Sequence, residues 1–77
     1  MSTTLDAMIT ILRDKFKIEQ PLQASTNVNA VGLDSLDVIN FLYSVEEATG
    51  VKIPDEAIAL ENLETLHQIA AFVDRNR

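Results

Sequence analysis

The chain has no cysteine, no tryptophan and a single histidine in 77 residues. Without cysteine, neither disulfides nor thiolate-held metal can support the fold, and one histidine excludes the ordinary zinc ligand sets. Long apolar runs are missing too: no stretch approaches the ~20 residues that a membrane-spanning helix needs. Bases are few, 6 against 12 acids, for a net charge of −6. Arg13, Lys15, Lys17, Arg75 and Arg77 lie outside the centre. Between Asp34 and Glu64 the only base is Lys52, against Asp34, Asp37, Glu46, Glu47, Asp55, Glu56, Glu61 and Glu64. An acidic centre repels phosphate backbones, which argues against nucleic acid, and attracts basic protein patches. Taken alone, this charge reads as solubilising. The N-terminal stretch MSTTLDAMITILRDK lacks an early basic region and a cleavage site, contains acids and is poor in Arg. It is therefore not expected to be a signal or transit peptide, and a cytoplasmic protein or a mature organelle form is expected.

The length predicts one domain, residues 1–77. A chain this short buries only about 60% of its unfolded surface, so it cannot also enclose a roomy dry active site. Apolar content of 47% and charged content of 23% are ordinary for a globular domain. There is no internal repeat and no low-complexity segment.

Four helices are predicted. Helix one runs roughly from Thr4 to Lys17, with Thr3 and Asp6 resembling a capping arrangement. Leu5, Met8, Ile9, Leu12 and Phe16 share a stripe at about 100° per residue, and Ile11 falls off it. A long loop follows from about Ile18 to Leu33; Pro21 and the polar run Gln23 to Asn27 argue against a regular element. Val28, Val31 and Leu33 are placed to pin that loop to the core. Helix two runs from Ser35 to about Thr49, with Asp34 as N-cap and Gly50 as C′. With Leu36 at zero on its wheel, Val38, Phe41, Leu42, Val45 and Ala48 gather on the opposite side as a core face. Leu36, Ile39 and Tyr43 remain on the near side with Asn40, Glu46 and Glu47. Val51 to Pro54 is extended, because Pro disfavours helix in the residue before it. A short third helix covers Asp55 to Leu60. Helix four runs from Leu66 to about Asn76, opened by a Thr65–Gln68 capping box, with Leu66, Ile69, Ala70 and Val73 inward and Phe72 on the flank. The fold class is all-α: a small four-helix bundle with a long loop between helices one and two and a short third helix.

Ser35 is the candidate functional residue. Gly32-Leu33-Asp34-Ser35-Leu36 delivers a hydroxyl to a helix start, beside apolar Leu36, Ile39 and Tyr43, for which one core face leaves no place. Exposed apolar patches of this kind tend to be interfaces. Coverage by the loop or by helix three is the alternative. A catalytic Ser needs a base and an orienting group. His67 falls off the core stripe among polar neighbours, and the G-x-S-x-G elbow is absent. Catalysis by this chain alone is not expected. Asp34, Asp37 and the Glu46-Glu47 pair do not follow the alternating pattern of an EF-hand, so no dedicated metal site is expected.

The stretch GLDSLDVINFLYSVEEATGVKIPDE, residues 32–56, resembles the core signature of acyl carrier proteins. The family's D-S-L stands as Asp34-Ser35-Leu36, its paired acids late in helix two as Glu46-Glu47, and its step into helix three as Ile53-Pro54-Asp55-Glu56. The resemblance implies that Ser35 Oγ carries 4′-phosphopantetheine from coenzyme A, installed by a separate phosphopantetheinyl transferase with Mg²⁺. The arm's thiol then holds an acyl group as a thioester, so the reactive sulfur is imported into a cysteine-free chain. Leu36, Ile39 and Tyr43 correspond to the partner-facing residues. Asp34, Asp37, Glu46 and Glu47 would meet basic patches on the transferase and on acyl-processing enzymes. Phe41, Leu42 and Val45 would line the space that shelters an acyl chain. Asn27 to Val31 lacks the aromatic and acidic pair that fatty-acid members often carry, and Tyr43 stands where an aliphatic residue or Met is common. Both departures suit a specialised carrier.

The expected function is thus a non-catalytic, monomeric acyl carrier in fatty-acid or related biosynthesis, binding neither nucleic acid nor membrane. A polyketide, peptidyl or aminoacyl carrier is the nearest alternative. An unmodified helical adaptor is the alternative from another class.

Overall fold

The computed structural model describes residues 3–60 and 62–77; Glu61, one of the central acids, lies outside them. Four α-helices follow in order: α1 (Thr3–Asp14), α2 (Ser35–Thr49), α3 (Asp55–Leu60) and α4 (Leu66–Arg75). Among the described residues there is no strand, only an isolated antiparallel bridge between Asn27 and Thr65. Among the described residues no helix is long and apolar enough to cross a membrane.

The apolar stripes explain the packing. α1 lies against both α2 and α4. Met8, Leu12, Phe41, Val45, Leu66, Ile69 and Val73 are fully buried between them. Leu5, Ile9 and Phe16 flank this core, and the off-stripe Ile11 also packs against it, half-buried. The rings of Phe16 and Phe41 meet edge to face, 6.3 Å between centroids, a favoured aromatic geometry. Phe72 is buried as well, so the flank of α4 belongs to the core.

Three expectations need correction. α1 ends at Asp14, three residues before Lys17. Lys17 takes a left-handed φ of 56°, Ile18 N–H returns to the Leu12 carbonyl at 3.1 Å, and the Arg13 guanidinium donates to the carbonyls of Ile18 and Glu19. Thr3 is itself helical, so it does not cap the helix from outside. Ala48 is exposed, although it shares the wheel sector of Val45. The chain turns away two residues later at Gly50 (φ 76°), and Val51 and Ile53 enter the core in place of Ala48.

The loop between α1 and α2 contains one regular turn after all, a 3₁₀ turn at Val28–Ala30. Asn27 starts it by accepting from the Asn29 N–H at 2.8 Å, the local side-chain bond that favours Asn at caps. The loop is stitched to the start of α4. Leu66 N–H donates to the Thr26 carbonyl at 3.0 Å, His67 N–H to that of Ala24 at 2.8 Å, and Val28 N–H to that of Glu64 at 2.9 Å. Val28 and Val31 are buried beneath it, and Leu33 packs partly against the core, as their spacing suggests.

One buried polar residue fell outside the stripes. Thr4 is 1% exposed, and its hydroxyl donates to Asp74 Oδ1 at 2.6 Å and accepts from Arg77 Nη2 at 2.9 Å. Both of its hydrogen-bonding functions are met, so its burial is compensated, and it ties the start of α1 to the end of α4.

Candidate functional site

Ser35 is the first residue of the 15-residue α2. The turn before it uses Gly32 at φ +88°, a backbone conformation that other residues adopt only with strain. Asp34 follows in an extended conformation and caps the helix. Its Oδ1 accepts from Asp37 N–H at 2.8 Å and its carbonyl accepts from Val38 N–H at 3.0 Å. A helix start presents four unpaired N–H groups. Here those of Asp37 and Val38 are paired with Asp34, while those of Ser35 and Leu36 meet no acceptor among the described residues. The Ser35 side chain is exposed, and no described residue hydrogen-bonds its hydroxyl.

Free N–H groups and the positive end of a helix dipole favour a negatively charged group. A phosphodiester carried on Ser35 Oγ would stand beside two such donors. Opposite the hydroxyl lies an open groove of about 270 Å³ lined by Asn29, Ser35, Val38, Ile39, Leu42 and Ile58. All but two of these side chains are apolar, so an organic arm extending from Ser35 meets a greasy trough with one carboxamide at its edge. The site therefore fits a phosphate-linked, partly apolar prosthetic group.

The groove is built differently from expectation. Of Phe41, Leu42 and Val45, only Leu42 lines it. Phe41 and Val45 are wholly inside the core, where α2 packs on α1 and the Phe41 ring meets Phe16. Val38 and Ile39 form the α2 wall instead, Asn29 comes from the 3₁₀ turn and Ile58 from α3. Asn29 was detectable in principle, since an Asn two residues earlier announces a turn. Ile58 was not, because its place depends on how α3 folds back.

The expected partner-facing residues separate into groups. Leu36 and Tyr43 are 66% and 54% exposed, the large hydrophobic side chains left in solvent among the described residues. Ile39 is half-buried, turned toward the groove. Asp34 is exposed but caps α2, and Asp37 is half-buried. Glu47 is exposed. Glu46 is half-buried, and its Oε1 accepts from the Ile53 N–H at 2.7 Å. Both glutamates sit near the negative end of the α2 dipole, where an acid is disfavoured by about 0.3–1 kcal/mol. The Ile53 bond offsets that for Glu46. His67 is exposed on α4, and among the described residues no group of three His, Cys, Asp or Glu side chains is arranged to hold a metal.

The family profile described as "Phosphopantetheine attachment site" matches residues 6–73. The acyl carrier protein of Zymomonas mobilis is 27% identical over all of this chain and 99% of its own length. The acyl carrier protein AcpXL of Brucella melitensis is 31% identical over 73% of this chain and 62% of its own. The chloroplastic acyl carrier protein 2 of Arabidopsis thaliana is 26% identical over 92% of this chain and 52% of its own.

Proposed function

This chain belongs to the acyl carrier protein family, and on that premise we propose that Ser35 is the attachment point of its covalent 4′-phosphopantetheine. When bound, the group supplies a flexible arm ending in a thiol that holds an acyl cargo as a thioester. The chain's own residues do the rest. Gly32 and Asp34 set the turn that presents the Ser35 hydroxyl to solvent. The N–H groups of Ser35 and Leu36 stabilise the phosphate charge. Val38, Ile39, Leu42 and Ile58 shelter the proximal part of the arm and its cargo from water. The observation that carries this reading is a solvent-facing hydroxyl and two N–H donors without a partner among the described residues, at the mouth of an apolar groove.

The whole of residues 1–77 acts as one non-catalytic, monomeric, cytoplasmic carrier domain. It presents acyl intermediates to enzymes of fatty-acid or related biosynthesis. Leu36 and Tyr43 are the apolar anchors for the transferase and those enzymes, with Ile39 between them. Asp34, Asp37, Glu46 and Glu47 surround the anchors with negative charge, which steers partners bearing basic patches. The stretch Asn27 to Val31, with neither an aromatic nor an acid, supports a specialised cargo.

The test is incubation with coenzyme A, Mg²⁺ and a broad-specificity phosphopantetheinyl transferase, followed by intact mass and peptide mapping. One phosphopantetheine is expected, on Ser35. Ser35→Ala should abolish the addition and leave the helical circular dichroism spectrum intact. Addition at Ser25 or Ser44, or none at all, overturns the assignment.

A further inference from the structure

Glu46 resembles its neighbour Glu47 in the sequence, but the two carboxylates are in different situations. Glu47 is exposed, whereas Glu46 reaches past the end of α2 to the Ile53 N–H. Ile53 is buried and followed by Pro54, which has no N–H. In the segment 51–54, Val51 N–H reaches Thr49 Oγ1 at 3.3 Å, and the Ile53 N–H has the Glu46 carboxylate as its acceptor. Without that carboxylate a part-buried backbone donor would lose its acceptor, a costly change for a backbone group.

The consequence reaches the groove. α3 has six residues, too few to hold a helix by its own hydrogen bonds. Its position comes from its anchors: buried Ile53 and Ala57, the Ala57 N–H to Pro54 carbonyl bond at 2.9 Å, and the Leu63 N–H to Ile58 carbonyl bond at 3.1 Å. Ile58 is four residues beyond Pro54 and forms the α3 wall of the groove beside Ser35. Fixing Ile53 therefore fixes the segment that carries this wall.

We propose that Glu46 is a positioning residue, whose carboxylate holds the α2–α3 connection and through it the Ile58 wall of the groove, and that this requires a hydrogen-bond acceptor rather than a negative charge. The proposal rests on the carrier reading for its functional consequence, but its structural half stands without the prosthetic group. It gives Glu46 a role beyond the negative charge proposed for both glutamates.

Glu46→Gln keeps an acceptor oxygen and loses the charge, whereas Glu46→Ala loses both. In the unmodified protein, exchange of the Ile53 amide should speed up about tenfold or more in Glu46→Ala, as expected when a backbone donor loses its acceptor. The Ile58 methyl resonances should shift with it. Glu46→Gln should stay within about twofold of the wild type, on the same scale, and Glu47→Gln should be unchanged. In protein loaded with an octanoyl thioester, hydroxylamine should cleave the Glu46→Ala form faster than wild type and the Glu46→Gln form at the wild-type rate. Equal behaviour of the Gln and Ala variants in amide exchange overturns the proposal. If Glu46→Ala does not fold, Glu46→Gln decides alone: wild-type protection at Ile53 supports the proposal and lost protection overturns it. Failure of the wild type to accept phosphopantetheine would instead defeat the carrier reading, and leaves the amide-exchange result to stand separately.

Discussion

α2 and α4 both bury an apolar stripe but treat their starts and outer faces differently. At the start of α4 every early donor is paired: Leu66 N–H with Thr26, His67 N–H with Ala24, and Gln68 N–H with the Thr65 hydroxyl at 3.2 Å. Gln68 returns the favour as the box's acceptor, taking the N–H groups of Thr65 and Glu64. Its outward residues are polar: His67, Gln68, Asp74 and Arg75. α2 has a cap of similar quality, yet leaves the Ser35 and Leu36 N–H groups open and places Leu36 and Tyr43 in water. Packing accounts for every residue class on α4. On α2 it accounts for the inner face only. The features left over, an open helix start and a solvent-facing apolar pair, fall at the attachment point and docking face proposed above.

This contrast is open to direct attack. The inner face of α2 should matter to the fold as much as that of α4. Phe41→Ala removes a fully buried ring and should destabilise by about 3–5 kcal/mol, read as a shift in the urea midpoint at constant slope. A loss of the size seen at surface positions, within about 0.5 kcal/mol, would mean that α2 does not carry the core.

The closed start of α4 should matter to stability alone. Thr65→Ala opens the capping box and should cost about 1 kcal/mol while leaving the rate of modification at Ser35 unchanged. Slower modification would show that the two helix starts are not independent, since the loop stitched to α4 also supplies Asn29 to the groove.

The outer face of α2 should show the reverse pattern. Leu36→Ala and Tyr43→Ala should each change stability by no more than about 0.5 kcal/mol, because both side chains are already in water. They should nevertheless weaken productive encounter with the transferase, and do so with little dependence on salt, as expected of apolar anchors. Glu47→Lys should instead slow the reaction in a manner that added salt erases. Stability losses at Leu36 or Tyr43 comparable to that at Phe41 would collapse the distinction between the faces.

Wherever local chemistry suffices, the sequence was decisive. The α2 boundaries follow from Asp34 and Gly50, since one supplies a side-chain acceptor and the other a left-handed residue. The α4 start follows from Thr65 and Gln68, and the core from apolar spacing at 3.6 residues per turn. The exposed place of Ser35 at the start of α2 follows from the same capped turn. What needed the tertiary structure are the relations between segments. Ala48 and Val45 share a helical sector, but only the path of the chain after Gly50 decides which of them is covered. Thr4 looks like any polar residue near a helix start until α4 brings Asp74 and Arg77 to it. The walls of the groove come from the 3₁₀ turn, α2 and α3 together, and Glu46 parts from Glu47 only when Ile53 folds back to meet it. A periodicity records which side of a helix is apolar; what lies against that side, and which carboxylate finds a donor, is set by three-dimensional packing among segments distant in the chain.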